Sequence, residues 1–213
     1  MPRHATTATL LVLAAVLAAG CAKPHPANLF QLVPPAAPAG APPAKTPAGV
    51  SRIEVGVPAF EVDSPYDAAR IVYRPEKDGS ELAFLPDRWI TPLSKSLAVF
   101  VGEDLGLVAG GFAIVGPPGG RPLDVTLAGR LMALEIAGTA NGPVARCRLR
   151  LTLRRPSGET AWTDLVENEV PAASRETSDL VAAMQAAITG GLDKVRPAIV
   201  GTLLAIAQAK SRD

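Results

Sequence analysis

Apolar and polar residues alternate with a period of two in several stretches, and this period predicts β-strands. Short strands are predicted around Ile53, Val55 and Val57, over residues 70–74 and over residues 81–85. Longer strands are predicted over residues 123–136 and 160–169, with a tight-turn signal at Asn141-Gly142. The clearest alternation places Ala145, Cys147, Leu149, Leu151 and Leu153 on one side of a strand and Arg146, Arg148, Arg150 and Arg154 on the other. The last three strands therefore predict an antiparallel meander.

A spacing of three and four residues predicts two helices. The first opens at Pro86-Asp87 with Asp87 as N-cap, ends near Gly106, and carries Trp89, Leu93, Leu97, Phe100 and Val101 on one face. A loose stretch over residues 110–120 follows it. The second helix closes the chain, is capped by Ser174 or Ser178, and is expected to kink at Pro197. Two helices against a mostly antiparallel sheet predict an α+β, two-layer domain over residues 51–209.

The N-terminal residues are typical of a secretory signal peptide over residues 1–20. Arg3 precedes a short apolar run over residues 10–19, and small residues lead to Cys21. The run is shorter than the roughly 20 residues that span a bilayer. The signal is similar to that of a bacterial lipoprotein, although Ala18 stands where a larger aliphatic residue is usual. The expected mature protein carries acyl chains such as palmitate on Cys21, which attach it to a membrane. The alternative is a soluble secreted protein cleaved after a small-x-small site.

The residues after Cys21 predict a tether and a location. Ala22 follows the cysteine, with no Asp there, and this favours the periplasmic face of the outer membrane over retention in the inner one. Residues 21–50 are rich in Pro and Ala, so an extended tether is expected, long enough to hold the domain up to roughly 85 Å from the lipid. Phe30 and Leu32 interrupt this composition. They are either an apolar spot within the tether or a short strand that joins the sheet edge.

Charge and composition exclude several classes of function. The chain has 21 basic and 20 acidic residues, and loss of Arg3 with the signal leaves 20 of each, so no nucleic-acid partner is expected. The two histidines, His4 and His25, precede the domain, which excludes histidine-dependent nucleophilic and metal sites within it. No enzyme activity, cofactor or metal is expected. Cys147 would be the only cysteine left after acylation, and it is expected to be buried.

The arginine row of the central meander strand has two interpretations. It is a solvated outer sheet face with Glu159, Glu167 and Glu169 as cross-strand partners, or it is a basic surface for acidic partner segments or lipid phosphates. The candidate partner-binding residues are Arg146, Arg148 and Arg150.

Several motifs in order resemble those of one family. They are Phe30-Gln31-Leu32, then V-x-V-P at residues 55–58, Ile71-Val72-Tyr73-Arg74, and R-W-x-x-P-L at residues 88–93 before a Leu-rich helix. The sequence resembles, over residues 28–208, the ABC-type transport auxiliary lipoproteins, which are encoded with transporters carrying MCE-domain proteins, including the paraquat-inducible system.

The resemblance implies an outer-membrane lipoprotein that docks an MCE-domain periplasmic protein and assists the movement of lipids or similar apolar substrates between membranes. It also implies a repeated or ring-like assembly, so a second copy of the chain is a further expected partner. Two alternatives remain open from the residues. One is an envelope lipoprotein that activates or organises a periplasmic peptidoglycan synthase, and the other is a soluble lipid-binding carrier with an apolar cavity of ligand size.

Overall fold

The computed structural model of the protein describes residues 26–34, 52–76, 79–108, 112–115 and 123–212. The predicted signal peptide, Cys21 and much of the Pro/Ala-rich stretch lie outside the described residues. The described residues form nine strands, all in one sheet, and two helices that pack against it. The predicted α+β class, with a sheet packed against helices, is confirmed.

The elements follow one another in a simple order. The first strands are β1 (Leu29–Phe30), β2 (Ile53–Gly56), β3 (Glu61–Val62), β4 (Arg70–Arg74) and β5 (Ala83–Trp89). Helix α1 (Leu93–Val108) and strand β6 (Phe112–Val115) come next. The chain continues through β7 (Val125–Thr139), β8 (Gly142–Arg154), β9 (Thr160–Pro171) and the long helix α2 (Thr177–Lys210).

The long strands β7, β8 and β9 form the predicted antiparallel meander. Gly142 has a φ of +116° at the β7–β8 turn, a conformation that glycine adopts without strain. Strand β7 also pairs in parallel with β2, β3 and β4, and β1 and β6 add in parallel to β5 and β2. The sheet is therefore mixed, with its long pairings antiparallel and most of its short ones parallel.

The core lies between the inner face of the sheet and the helices. The apolar side of β8 is fully buried, as its alternation predicted. Helix α2 covers it with Leu180, Met184, Ile188, Leu192, Ile199 and Leu203. Gly190 and Gly191 allow α2 to approach β9 closely. A Cβ on Gly190 would stand 2.6 Å from Asn168 Nδ2, and one on Gly191 would stand 2.5 Å from Val166 Cγ1. Burial of each large aliphatic side chain stabilises the fold by roughly 1.5–3 kcal/mol.

The predicted start of the first helix is wrong. Residues 86–89 belong to β5, and α1 begins only at Leu93, so Asp87 is not its N-cap. The backbone N–H of Trp89 donates instead to the carbonyl of Ala69 at 2.7 Å, and strand pairing thus uses the groups that a helix would need. Pro92 also disfavours a helical conformation at Thr91. Trp89 is nonetheless a buried core residue, as expected.

Other boundaries also differ from the predictions. Strand β6 lies within the stretch expected to be a loop, and β3 was not predicted because two residues carry no readable period. The N-cap of α2 is Glu176, rather than Ser174 or Ser178, and no side chain caps it. Helix α2 continues through Pro197 to Lys210. The expected kink there stays a prediction.

The apolar spot in the Pro/Ala-rich stretch is part of the folded domain. Strand β1 pairs with the end of β5, with Leu29 beside Arg88 and Phe30 beside Trp89, and Leu32 is only 2% exposed. Of the two interpretations, the edge strand is therefore right. The tether expected over residues 21–50 is interrupted by this segment, and the folded unit includes residues before 51.

Candidate functional site

The predicted arginine row lies on the outer face of β8, and its members have different partners. Arg146 Nε donates to Glu169 Oε1 at 2.9 Å and Arg148 Nε to Glu167 Oε1 at 2.5 Å, each across the β8–β9 pair. Arg150 is exposed and lies opposite Leu165, without an ion pair among the described residues. Two arginines are thus cross-strand partners of glutamates.

The third expected partner, Glu159, does not contact this row. Its Oε2 lies 3.6 Å from Arg155 Nε, at the β8–β9 turn. A partner-binding role for Arg146, Arg148 and Arg150 stays a prediction.

A buried ionic cluster on the same face escaped the sequence analysis. Glu135 is 3% exposed and lies on β7, in register with Arg146 of β8 and Val72 of β4. Arg74 binds its carboxylate with two nitrogens, Nε at 2.9 Å and Nη2 at 3.0 Å, and the Tyr66 hydroxyl donates to it at 2.6 Å. Arg146 Nη1 lies 3.8 Å from Glu135 Oε1. The cluster joins three strands and the segment before β4 through charge-assisted bonds.

The ionisation of this cluster follows from its contacts. Burial by itself would raise the pKa of Glu135, but the hydrogen bonds from Arg74 and Tyr66 outweigh it and lower the pKa below its ordinary value. Burial, followed by the hydrogen bond to Glu135, raises the pKa of Tyr66 to about 12. Glu135 is therefore an anion and Tyr66 a neutral phenol at neutral pH, so neither is poised for proton transfer there.

The sequence signal for this cluster was one acid, Glu135, within the apolar second half of β7, between Leu134 and Ile136. The sequence of one strand does not show which basic side chains bind its acidic residue, because the partners of Glu135 come from distant parts of the chain.

A second polar site holds the N-terminal segment to the domain. The buried Asp87 accepts a hydrogen bond from the backbone N–H of Asn28 at 2.8 Å and one from the Thr177 hydroxyl at 2.6 Å. Farther along, the backbone N–H of Val33 donates to Gln185 Oε1 at 2.6 Å. Thr177 is the first residue of α2, where an anion is also favoured by the helix dipole. Asp87 thus joins β5, the start of α2 and the segment that follows Cys21.

The remaining candidate chemistry is sparse within the described residues. Burial raises the pKa of the Cys147 thiol to about 12, which leaves it unreactive, as expected of a core residue. No group of three metal-ligating side chains occurs among the described residues. In the same part of the chain, no helix is both long and apolar enough to cross a membrane.

Clefts of about 220 to 590 Å³ open on the described surface. A cleft of about 220 Å³ lies between Tyr73, Leu85, Pro143 and Leu180, and a neighbouring one of about 590 Å³ shares Tyr73 and Arg175 with it. A third, of about 390 Å³, lies beside Arg146, Arg148 and Lys194. Polar and charged side chains contribute to the walls of all three.

Solved structures share this fold at low sequence identity. The chain is similar to protein XCC0632 from Xanthomonas campestris, described as a DUF330 protein, with a TM-score of 0.65, 20% identity, and coverage of 88% of this chain and 100% of that one. A crystal structure of an uncharacterized protein matches with a TM-score of 0.64, 13% identity, and coverage of 82% and 99%.

Comparison with curated proteins gave no match. A family model described as ABC-type transport auxiliary lipoprotein component matches residues 30–195.

Proposed function

We propose a function from one premise: this chain belongs to the ABC-type transport auxiliary lipoprotein family. We infer that it is an accessory subunit of an ABC transport system whose substrate-binding component is an MCE-domain protein. In this proposal it is anchored at the periplasmic face of the outer membrane and assists the movement of lipids or similar apolar substrates between the two membranes. The family match over residues 30–195 is the observation that carries the proposal.

The mode of attachment follows from the N-terminal sequence. A short apolar run ends at Cys21, the residue that would receive the acyl chains. Two or more acyl chains give stable anchoring, at about 0.8 kcal/mol for each buried CH₂ group. In this proposal the acyl chains on Cys21, and not a membrane-spanning helix, attach the protein to the membrane.

The described residues support an interaction role better than the alternatives. Their ionisable cluster at Glu135 is paired and not poised for catalysis at neutral pH, and the domain contains no histidine. A carrier would need a largely apolar cavity, whereas the clefts described above have mixed walls. The small α+β domain suits the peptidoglycan-synthase alternative, but the long tether expected with it is interrupted by β1, and the family match points to transport.

Fatty-acid labelling tests the anchor. Cells that express the full chain are grown with a labelled fatty acid, and the protein is isolated and fractionated. We expect label on the wild type and none on Cys21→Ala, which should appear in the soluble periplasmic fraction. Cys147→Ala is the matched control and should keep both the label and the membrane fraction, because Cys147 is buried in the core. An unlabelled wild-type protein would overturn the lipoprotein assignment.

Affinity purification tests the partner. The acylated protein is extracted from membranes of its native host in mild detergent, and the bound proteins are identified. Recovery of an MCE-domain protein, with the permease and ATPase of the same system, is the expected result. Recovery of a peptidoglycan synthase in their place would support the alternative function.

A further inference from the structure

An apolar patch with two arginines lies on the outer face of the sheet where β1 meets β5. Its apolar members are Leu29, Phe84 and Ile90, which are 62%, 40% and 58% exposed. Leu29 is beside Arg88 in the β1–β5 pairing, and Arg70 is opposite Arg88 in the β4–β5 pairing. We call these five residues the corner patch.

The corner patch faces away from helix α2. The side chains that alternate with it on β5, Asp87 and Trp89, are buried, and Asp87 bonds to Thr177 at the start of α2. Arg88 and Ile90 therefore point to the opposite side of the sheet.

The charge of the patch is positive. Arg70 lies over the ring of Phe84, with 5.5 Å from its Cζ to the ring centroid. Neither Arg70 nor Arg88 forms an ion pair with the described residues. Two guanidinium groups beside exposed apolar side chains match the chemistry of a membrane surface that contains anionic headgroups.

The chain length before the patch is short. Pro26 is five residues after Cys21, and an extended chain covers at most about 3.6 Å per residue, so no more than about 18 Å separates these two Cα atoms. Asn28 is already hydrogen-bonded to Asp87, and Leu29 is part of the sheet. Most of the Pro/Ala-rich stretch follows this attachment, so it adds nothing to the distance between lipid and domain. The distance of roughly 85 Å expected from an unbroken tether is thus excluded.

From these observations we propose that the corner patch lies against the lipid surface in which Cys21 is anchored. The inference rests on the acylation of Cys21 in the proposed function. The acyl chains hold the start of β1 at the membrane, Leu29 and Ile90 contact the interface, and Arg70 and Arg88 contact anionic headgroups. The helix layer and the far end of α2 then face the periplasm.

Site-specific fluorescence on the full acylated chain tests this orientation. Ile90→Cys places a probe in the patch, and Val99→Cys, 54% exposed in the wild type, places one on α1. Ala205→Cys gives a distant control, about 42 Å along α2 from its first residue. Each variant is labelled with an environment-sensitive fluorophore and reconstituted in vesicles of phosphatidylethanolamine and phosphatidylglycerol. Some of the vesicles also contain nitroxide-labelled lipid, and vesicle flotation is measured in parallel.

We expect all three variants to float with the vesicles. The Ile90→Cys probe should shift to shorter wavelength and lose intensity to the nitroxide lipid, whereas the Val99→Cys and Ala205→Cys probes should do neither. Replacing phosphatidylglycerol with phosphatidylcholine should reduce the quenching at position 90, because Arg70 and Arg88 then lack anionic partners.

Equal quenching at the three positions, or none at position 90 in a protein that floats, would overturn the orientation and leave the acyl anchor intact. Cross-linking between Ile90→Cys residues of two copies, without lipid quenching, would show that a second copy covers the patch and would also overturn it. Failure to float would overturn the anchor itself and the orientation with it.

Discussion

The backbone N–H of Asn28 donates a 2.8 Å hydrogen bond to Asp87, and this bond fixes the segment after Cys21 to the domain. Because the same side chain accepts a hydrogen bond from Thr177, three parts of the chain share one buried carboxyl group. The domain is thereby tied close to its proposed lipid rather than at the end of a long tether.

Asp87→Ala should release this N-terminal segment. The change leaves the N–H of Asn28 and the hydroxyl of Thr177 without their acceptor, and we expect the free energy of unfolding to fall by about 1–3 kcal/mol. Hydrogen exchange measured by mass spectrometry should show lost protection in residues 29–32. Asp67→Ala, at an exposed site, is the control. Unchanged protection in Asp87→Ala would mean that strand pairing, the Val33–Gln185 bond and the burial of Leu32 hold β1 without Asp87.

Arg74→Met should destabilise the fold strongly. It removes the bidentate partner of Glu135 and leaves a buried carboxylate with Tyr66 and a more distant Arg146. We expect the free energy of unfolding, measured by urea denaturation at neutral pH, to fall by about 3–5 kcal/mol. Arg155→Met breaks an exposed pair with Glu159 and should cost less than about 1 kcal/mol.

Acid should weaken the protein partly through Glu135. The pKa of this carboxyl is lower in the folded state than its ordinary value of 4.5, so its contribution is complete above that value and is lost as the pH falls through the folded pKa. Denaturation curves between about pH 6 and pH 3 should therefore show a steeper loss of stability for the wild type than for Glu135→Gln. Parallel losses in the two proteins would contradict the lowered pKa.

Trp89→Ala should lower the free energy of unfolding by about 3–5 kcal/mol, because it leaves a cavity in place of a large buried side chain at the end of β5. Trp162→Ala, at a half-buried site on β9, should cost less. A chemical denaturation midpoint that Trp89→Ala leaves unchanged would contradict the burial of Trp89.

Two glycines of α2 offer a matched test of helix packing. Gly191→Ala places a Cβ 2.5 Å from Val166 on β9 and should destabilise the protein by about 1–3 kcal/mol. A Cβ on residue 201 would have no neighbouring atom within 4 Å. Gly201→Ala should therefore raise the free energy of unfolding by up to about 1 kcal/mol, since alanine favours the helix. Thermal melts of both variants measure the difference. A stabilising Gly191→Ala would show that α2 can move away from β9 without cost.

Arg148→Glu tests the arginine row as a docking face for the proposed MCE-domain partner. We expect weaker co-purification with that partner and a smaller effect of salt on the binding that remains. Arg212→Glu, at an exposed site just after the end of α2 and away from this strand face, is the charge control. The double variant Arg148→Glu with Glu167→Arg restores the cross-strand pair and keeps fold stability separate from binding. Unchanged binding and salt dependence would leave these arginines as a solvated sheet face.

The elements that the sequence predicts correctly each depend on one local pattern. Strand β8 alternates without interruption, so its buried and exposed sides were readable, as was the glycine turn before it. The start of α1 was misread because Trp89 stands four residues before Leu93, at a spacing that fits a helix. Pairing of β5 with β1 and β4 decided that residue 89 is in a strand.

The sequence by itself determined the strand and helix content of most of the chain, the expected lipid attachment at Cys21 and the family resemblance, because periodicity and short motifs are local properties. Only the tertiary structure decided that Asp87 joins Asn28 to Thr177 and that Glu135 joins Arg74 to Tyr66. Each of these bonds connects residues far apart in the chain, and a buried charge selects its partners by distance in space.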